Sequence, residues 1–341
     1  MFNDSSYRNN YMPFDQQFAF LKSKLTQNYY SYKFRNEFKL SGGKNIIFCF
    51  HGFNNSFGGY NYGQTSKKFL IKMLSIISEK FRIVNFNTLL TKNIDESKAT
   101  HHPMAAFTID DGFLSVLNVL DVLKKYSVAP MVNVCPALIE REQVIFPELI
   151  RIALLITEEK YFHSPVGKEL KSIHKLSDRI FFANEWIKYF KKIPRQSLEN
   201  ELMDFFNRVK VSESSIKKSK LYDPLMTYKQ IKEILPYISI GSHTNNHLHL
   251  ADQEDEISFN EISESKKKIE DNLGIECKYF VYPFGNNNSF GEREERYSES
   301  AGYLNAFSLQ PGFINKIENI YNLPRVNIGG GFKYFLNNYW N

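Results

Sequence analysis

Short runs of apolar, β-branched and aromatic residues recur along this 341-residue chain, separated by stretches long enough for a helix. The runs are NIIFCF (45–50), RIVNF (82–86), MAAFTI (104–109), APMVNV (129–134), YISI (237–240), YFVYP (279–283) and NAFSL (305–309). Their apolarity is near-continuous rather than alternating, the mark of strands buried on both faces in a parallel sheet. Between them, TSKKFLIKMLSIISEK sets Phe69, Leu70, Met73, Leu74, Ile76 and Ile77 at helical spacing, and FLSVLNVLDVLKKY repeats Leu and Val in the same way. Alternating β and α elements imply right-handed crossovers, and hence an α/β fold that is either an open doubly wound sheet or a closed barrel.

The rhythm breaks over residues 141–225. There FPELIRIALLITEEKYF, NEWIKYFKKI and SLENELMDFFNRVKV read as charged and aromatic helices, too long together for an ordinary connection. We read this stretch as a helical insertion whose simplest role is extra packing, with a lid or partner surface as the other reading. The expected organisation is an extension over 1–43, a main domain over 44–330 and a tail over 331–341. NNNSFGEREERYSE (286–299) reads as a solvated loop entering a helix.

The net charge of +6 is carried by scattered lysines, with short clusters at Lys217, Lys218 and Lys220 and at Lys266, Lys267 and Lys268. Solvated helix faces account for them, and attraction to an anionic sugar, a lipid-linked diphosphate or a membrane surface is the second reading. No recognition helix, zinc-finger spacing or interleaved basic and aromatic stripe points to nucleic acid. Cys49, Cys135 and Cys277 form no CxxC pair, and their odd number argues against a disulfide framework. With no signal-like opening and no long apolar run, the sequence reads as a cytoplasmic protein without a transmembrane segment, peripheral membrane contact remaining open. The sequence says nothing of oligomeric state.

Two strand ends carry candidate chemistry. AFTIDDGF places Asp110, Asp111 and Gly112 at the C-terminal end of a strand, the edge on which β/α barrels build their sites. Adjacent carboxylates repel, so the pair needs a cation beside it or a proton shared between the two. Alone, the triplet is equally a turn or a helix cap. IGSHTNNHLHL (240–250) follows another strand, and His243 and His247 stand at i, i+4, so one helical turn would set both imidazoles on one face. His249 is out of phase with them. One Asp and two His with open positions form a catalytic rather than a structural divalent-metal arrangement, since a closed structural site takes four protein ligands.

With these stretches in hand, the chain resembles the polysaccharide deacetylases, the NodB-like carbohydrate esterases of family four. TIDDG is similar to their first motif, SHTNNH to their second, and VYPFG (281–285) to the aromatic form of their third. The resemblance implies a distorted (β/α) barrel of about seven parallel strands carrying the helical insertion. It also implies Asp110 as general base and Asp111, His243 and His247 as ligands of a divalent ion, with zinc expected and cobalt or nickel able to serve. Tyr282, Pro283, Phe284 and Gly285 would wall the substrate groove. Strand-end packing is the plainer account of the first three of those, and Gly285 could simply permit a turn.

The sequence departs from the family pattern twice. No histidine follows His249, so the family's late acid motif is missing, whereas IIFCFHG ends the first strand with His51. A circularly permuted member would carry its general acid there, beside the last strand of a closed barrel; a structural histidine in the following loop is the alternative. The third motif also lacks an arginine to hold the base, and Arg325 in NLPRVNIGG could replace it or form an ordinary ion pair. The implied activity is metal-assisted hydrolysis of an N-acyl group on a sugar or glycan precursor, in surface polysaccharide biosynthesis. N-deformylation or another amide hydrolysis, or a carbohydrate-binding relative without activity, are the other readings.

Overall fold

The computed structural model describes residues 44–54, 64–92, 103–165, 169–314 and 319–328, so the extension over 1–43 and the tail over 331–341 lie outside the described residues. Ten strands are present there: β1 (Ile46–Phe50), β2 (Arg82–Ile83), β3 (Met104–Ile109), β4 (Met131–Val134), β5 (Tyr161–His163), β6 (Leu170–Ser172), β7 (Ser239–Ser242), β8 (Tyr279–Val281), β9 (Asn305–Phe307) and β10 (Val326–Asn327). The main sheet is parallel, in the order β10-β1-β3-β4-β7-β8-β9, with β2 paired to the first residues of β3. Phe48 of β1 pairs with Val326, and Leu323 on the same arm bridges to Phe307 of β9. One segment thus ties together the two ends of the strand order and bends the sheet into the expected distorted barrel.

All seven apolar runs become strands of this sheet. In β1 and β3 every residue is buried, which accounts for runs without alternation. Helices cover the outer face. In α1 (Lys67–Lys80), the Ser66 hydroxyl caps the N-terminus by accepting from Phe69 N, and the six apolar residues noted above are buried. The stretch after Asp111 differs from one continuous helix: residues Leu114–Val119 form a 3-10 turn before α2 (Leu120–Lys125). Its start is held by Leu114 N on Pro224 O and Ser115 N on Asp223 Oδ1, so tertiary bonds set the first turns.

Inside the barrel, side chains alternate by strand pleat. Ile47, Ala106, Met131, Val281 and Phe307 share one apolar interior cluster. Two residues further along their strands, the same inward positions become Cys49, Thr108 and Asn133, which contact Asp110 or Arg325. One more step reaches His51 and Asp110. The barrel axis therefore runs from apolar to ionisable, and the chemistry lies at the C-terminal mouth.

The insertion is not purely helical. After α3 (Pro136–Glu140), which leads into it, it contains α4 (Phe146–Ile156), the antiparallel hairpin β5-β6, α5 (Leu176–Phe190), α6 (Arg195–Val209) and α7 (Glu213–Lys218). Aromatics hold it together, with Trp186 packed between Phe162, Phe190 and Phe205. Its core is continuous with Phe113 and Leu248 of the barrel, and Phe284 packs against it. Two more barrel helices follow, α8 (Tyr228–Ile234), with a Thr227–Gln230 capping box, and α9 (Asp255–Leu273), which ends at Gly274 with φ 70°. The last, α10 (Glu292–Ser300), fulfils the loop-to-helix reading of 286–299. In the lysine clusters Lys217 pairs with Glu213 and Lys268 with Glu140 at the surface, whereas Lys266 is largely buried and bonds Glu270 and Cys277 O.

Candidate metal centre and catalytic groups

The two aspartates diverge because the chain turns sharply after β3. Asp111 and Gly112 both take left-handed backbone, φ 72° and 75°. For Asp111 that conformation costs on the order of 1 kcal/mol and is tolerated only where surrounding contacts enforce it. At Gly112 a Cβ would also meet Val134 Cγ1 at 2.9 Å, so glycine is required twice over. The turn aims Asp110 down into the barrel mouth and Asp111 across toward the loop after β7.

That loop is not helical, contrary to the reading from i, i+4 spacing. Thr244 and His247 have φ 63° and 58°, and the Thr244 hydroxyl accepts from His247 N at 2.9 Å. A tight turn, not a helical one, brings the rings of His243 and His247 to 4.9 Å between centroids. Their Nε2 atoms lie 3.5 and 3.3 Å from Asp111 Oδ1. His249 stands apart, paired with Asp252 at 2.8 Å.

These three side chains fit a divalent ion. Ligand atoms about 2.1 Å from a tetrahedral ion sit about 3.4 Å apart, close to the carboxylate-to-imidazole distances here. All three donor atoms lie within 4.8 Å of one another, and Asp111 Oδ1 is buried without a hydrogen-bond donor. His243 Nδ1 is 2.8 Å from Val281 O, an acceptor, so Nδ1 holds the proton and Nε2 keeps its lone pair toward Asp111. Burial, outweighing Asp110 and Asp111, pushes His243 down to about 4 and keeps its imidazole in the neutral, ligating form.

Asp110 is held differently. Arg325 is fully buried and bonds it in bidentate fashion, Nη1 to Oδ1 at 2.8 Å and Nη2 to Oδ2 at 3.0 Å. The same guanidinium reaches Thr108 Oγ1 at 2.8 Å and Ser308 O at 2.9 Å. Asn133 Nδ2 adds a bond to Asp110 Oδ1 at 2.6 Å. Burial works to raise the Asp110 carboxyl, but the Arg325 charge and hydrogen bonds, with His243 and His51, together outweigh it and hold the group well below the usual carboxylate range.

His51 follows β1 directly, and Asp110 N donates to the neighbouring Phe50 O, so register brings the two side chains together. One donor atom each from Cys49, His51 and Asp110 lies within 4.8 Å of the others, and His51 Nδ1 is buried without a partner. His51 lines the same cavity of about 360 Å³ as Asp110, Asp111, His243, His247 and Arg325.

The third motif divides between wall and scaffold. Tyr282 is 1% exposed, stacks on Phe290 at 3.8 Å and donates to Tyr321 O at 3.0 Å, so its hydroxyl is committed to the core. The Pro283 carbonyl accepts from Gly285 N at 2.7 Å. Phe284, at φ 62°, sets its ring 4.9 Å from that of His247 and forms cavity wall. At Gly285, φ 60°, a Cβ would lie 2.5 Å from Leu309 N.

Several contributors escaped the sequence reading. Asn133 was legible only as a polar residue inside an apolar strand. Glu261 on α9 accepts from Asn246 N at 2.7 Å and from its side-chain amide, and so clamps the loop between the two histidines. The insertion, read as packing, supplies cavity wall through Glu148, Arg151, Asn184, Lys188 and Lys191. Those helices touch the site only through tertiary contact, which no local motif records.

Comparison with known proteins agrees with this geometry. The polysaccharide deacetylase family model matches residues 205–304, which contain both histidines and VYPFG. YxkH of Bacillus subtilis (strain 168), a relative named for the same family, is 29% identical over 107 residues, 31% of this chain and 37% of YxkH. In structure, the Streptococcus pyogenes deacetylase PplD, solved with acetate, has a TM-score of 0.53 at 14% identity, covering 86% of this chain and 97% of that one. IcaB from Ammonifex degensii has a TM-score of 0.52 at 15% identity, covering 86% and 96%. A de-N-acetylase from Aggregatibacter actinomycetemcomitans scores 0.51 at 13% identity, covering 86% and 99%. Over residues 205–304 the chain is thus similar to the polysaccharide deacetylases, and its barrel is similar to those of solved deacetylases.

Proposed function

We propose that the protein is a hydrolase that removes an N-acyl group, foremost N-acetyl, from a sugar or glycan precursor, using a divalent ion for which zinc suits the donor set of two imidazoles and one carboxylate. One observation carries the reading: a carboxylate locked ionised by buried Arg325 stands next to a three-donor cluster at the mouth of a single cavity. When bound by Asp111, His243 and His247, a divalent ion supplies Lewis acidity toward an acyl oxygen and a more acidic water.

The chain's own groups do the rest. Asp110, with no proton of its own, accepts one from the attacking water, and Arg325 and Asn133 hold it in place for that transfer. His51 donates a proton to the departing amine as the carbon–nitrogen bond breaks. Its position beside β10, which joins both ends of the sheet, supports the view of a relocated general acid. Replacing it by Gln lowers turnover by ~100-fold or more while metal content stays. Phe284 forms the floor beside His247.

A role in surface polysaccharide biosynthesis inside the cell is part of the same proposal, with fractionation of the native protein as its test; no helix among the described residues is long and apolar enough to cross a membrane. The activity is tested by metal analysis of the purified protein together with acetate and formate release from a panel of acylated sugars, beside His243→Ala. Near-stoichiometric metal and acetate release, both lost in the variant, are expected. Formate alone would transfer the reading to deformylation, and bound metal without hydrolysis would leave a carbohydrate-binding relative. Undiminished metal in His243→Ala would remove the assigned ligand set.

A further inference from the structure

The cavity has an unequal distribution of charge. Its acidic side chains are Asp110, Asp111 and Glu148, and each is committed: Asp110 to Arg325, Asp111 to the two histidines, and Glu148 to Arg151 at 2.6 Å. Two further cations, Lys188 and Lys191, line the same space from α5 and the residue just after it. Among the described residues neither forms an ion pair. Asp252, whose charge acts on Lys191, already holds His249.

Lys191 is also placed with care for a long side chain. Its Nζ sits 3.8 Å from the centre of the Phe284 ring, and that ring lies 4.9 Å from the ring of His247. A cation over an aromatic face is retained when partly withdrawn from water. Burial first, and the charge of Arg151 next, push the Lys191 ammonium down to about 8. Through Phe284 the arrangement adjoins the metal donors, and it is carried on the insertion rather than on the barrel.

We infer that the insertion forms an anion subsite, in which Arg151, Lys188 and Lys191 receive an oxyanion carried by the substrate next to its acylated sugar. This rests on the deacylation reading and narrows it to an acidic substrate, a phosphate ester or a uronate. Arg151 would share its guanidinium between Glu148 and the incoming group, a planar donor suited to oxyanions, while the two lysines act as point charges.

The test is calorimetric binding to the zinc-loaded protein of N-acetylglucosamine 1-phosphate, N-acetylglucosaminyl-glucuronate and the neutral methyl N-acetylglucosaminide, repeated with Lys188→Gln/Lys191→Gln. We expect the native protein to bind at least one acidic ligand ~10-fold or more tighter than the neutral one, equivalent to one charged contact or better. The preference should shrink at high salt and fall at least several-fold in the double variant, in which Arg151 remains, with metal content unchanged. The phosphate and uronate arms decide which oxyanion is meant. Equal affinity for all three in the native protein, or a preference undiminished in the double variant, would overturn the subsite. Binding needs no turnover, so this result is separate from failure of the hydrolase reading, which appears as bound ligand without acyl release.

Discussion

Replacing Arg325 by Met keeps a long apolar side chain and removes the charge. In the native protein four polar contacts, at 2.8 to 3.0 Å, hold the fully buried guanidinium to Asp110, Thr108 and Ser308. Breaking a buried pair from one side strands the other charge and costs about 3 to 5 kcal/mol. Asp110 would keep Asn133 Nδ2 at 2.6 Å and the weak Cys49 thiol at 3.4 Å. The expected loss is therefore about 3 to 5 kcal/mol, read as a lower urea midpoint at unchanged slope. Adding Asp110→Asn removes the stranded charge, so the double variant should recover ~2 kcal/mol or more relative to the summed single losses. The pH dependence gives an independent reading. With Arg325 present the folded Asp110 pKa lies below its unfolded value near ~3.9, so the pair's stabilisation is complete above about pH 4 and fades as pH falls through the depressed folded value. Without Arg325, burial raises the folded pKa instead, and stability should fall as pH rises from about 4 toward neutrality. A loss under ~1 kcal/mol in the single variant, or simple additivity in the double, would refute the reasoning.

Three further predictions follow from neighbouring contacts. In Gly241→Ala the new Cβ would stand 2.3 Å from Asn133 Oδ1, forcing that amide off Asp110; turnover should drop ~10- to 100-fold with metal content and circular dichroism intact, and an unchanged rate would remove Asn133 from the positioning of the base. Glu261→Ala leaves both Asn246 donors unpaired and should weaken metal affinity by ~10-fold or more in a chelator competition, with partial rescue by Gln. Added zinc should raise the thermal midpoint of the native protein, by about 2.7 kcal/mol of stabilisation at a hundredfold excess over Kd, and leave Asp111→Asn unmoved; an equal shift in both would place the ion elsewhere.

Much of this was legible in the chain because local chemistry announces it. Strands buried on both faces write themselves as unbroken apolar runs, and each of the seven became a strand of the sheet. Strand-end DDG and SHTNNH brought their donors together as expected, although the spacing argument was right for the wrong backbone. A helical turn and a turn with two left-handed residues can both unite His243 with His247, and spacing alone does not distinguish them. Tyr282 shows what a motif leaves out: it lines the cavity, as groove wall requires, but its ring also stacks on Phe290 and its hydroxyl bonds inside the core.

By itself, then, the sequence determined seven of the sheet's strands and the strand ends at which Asp110, Asp111, His243 and His247 gather, because apolar runs and strand-end position depend on neighbours a few residues away. Only the tertiary structure decided that Arg325 locks Asp110 across 215 residues of chain, that Glu261 clamps the histidine loop, and that an insertion read as packing lines the cavity with cations. Those contacts depend on the angles at which separate elements cross, and crossing angles are set by the packing of whole surfaces.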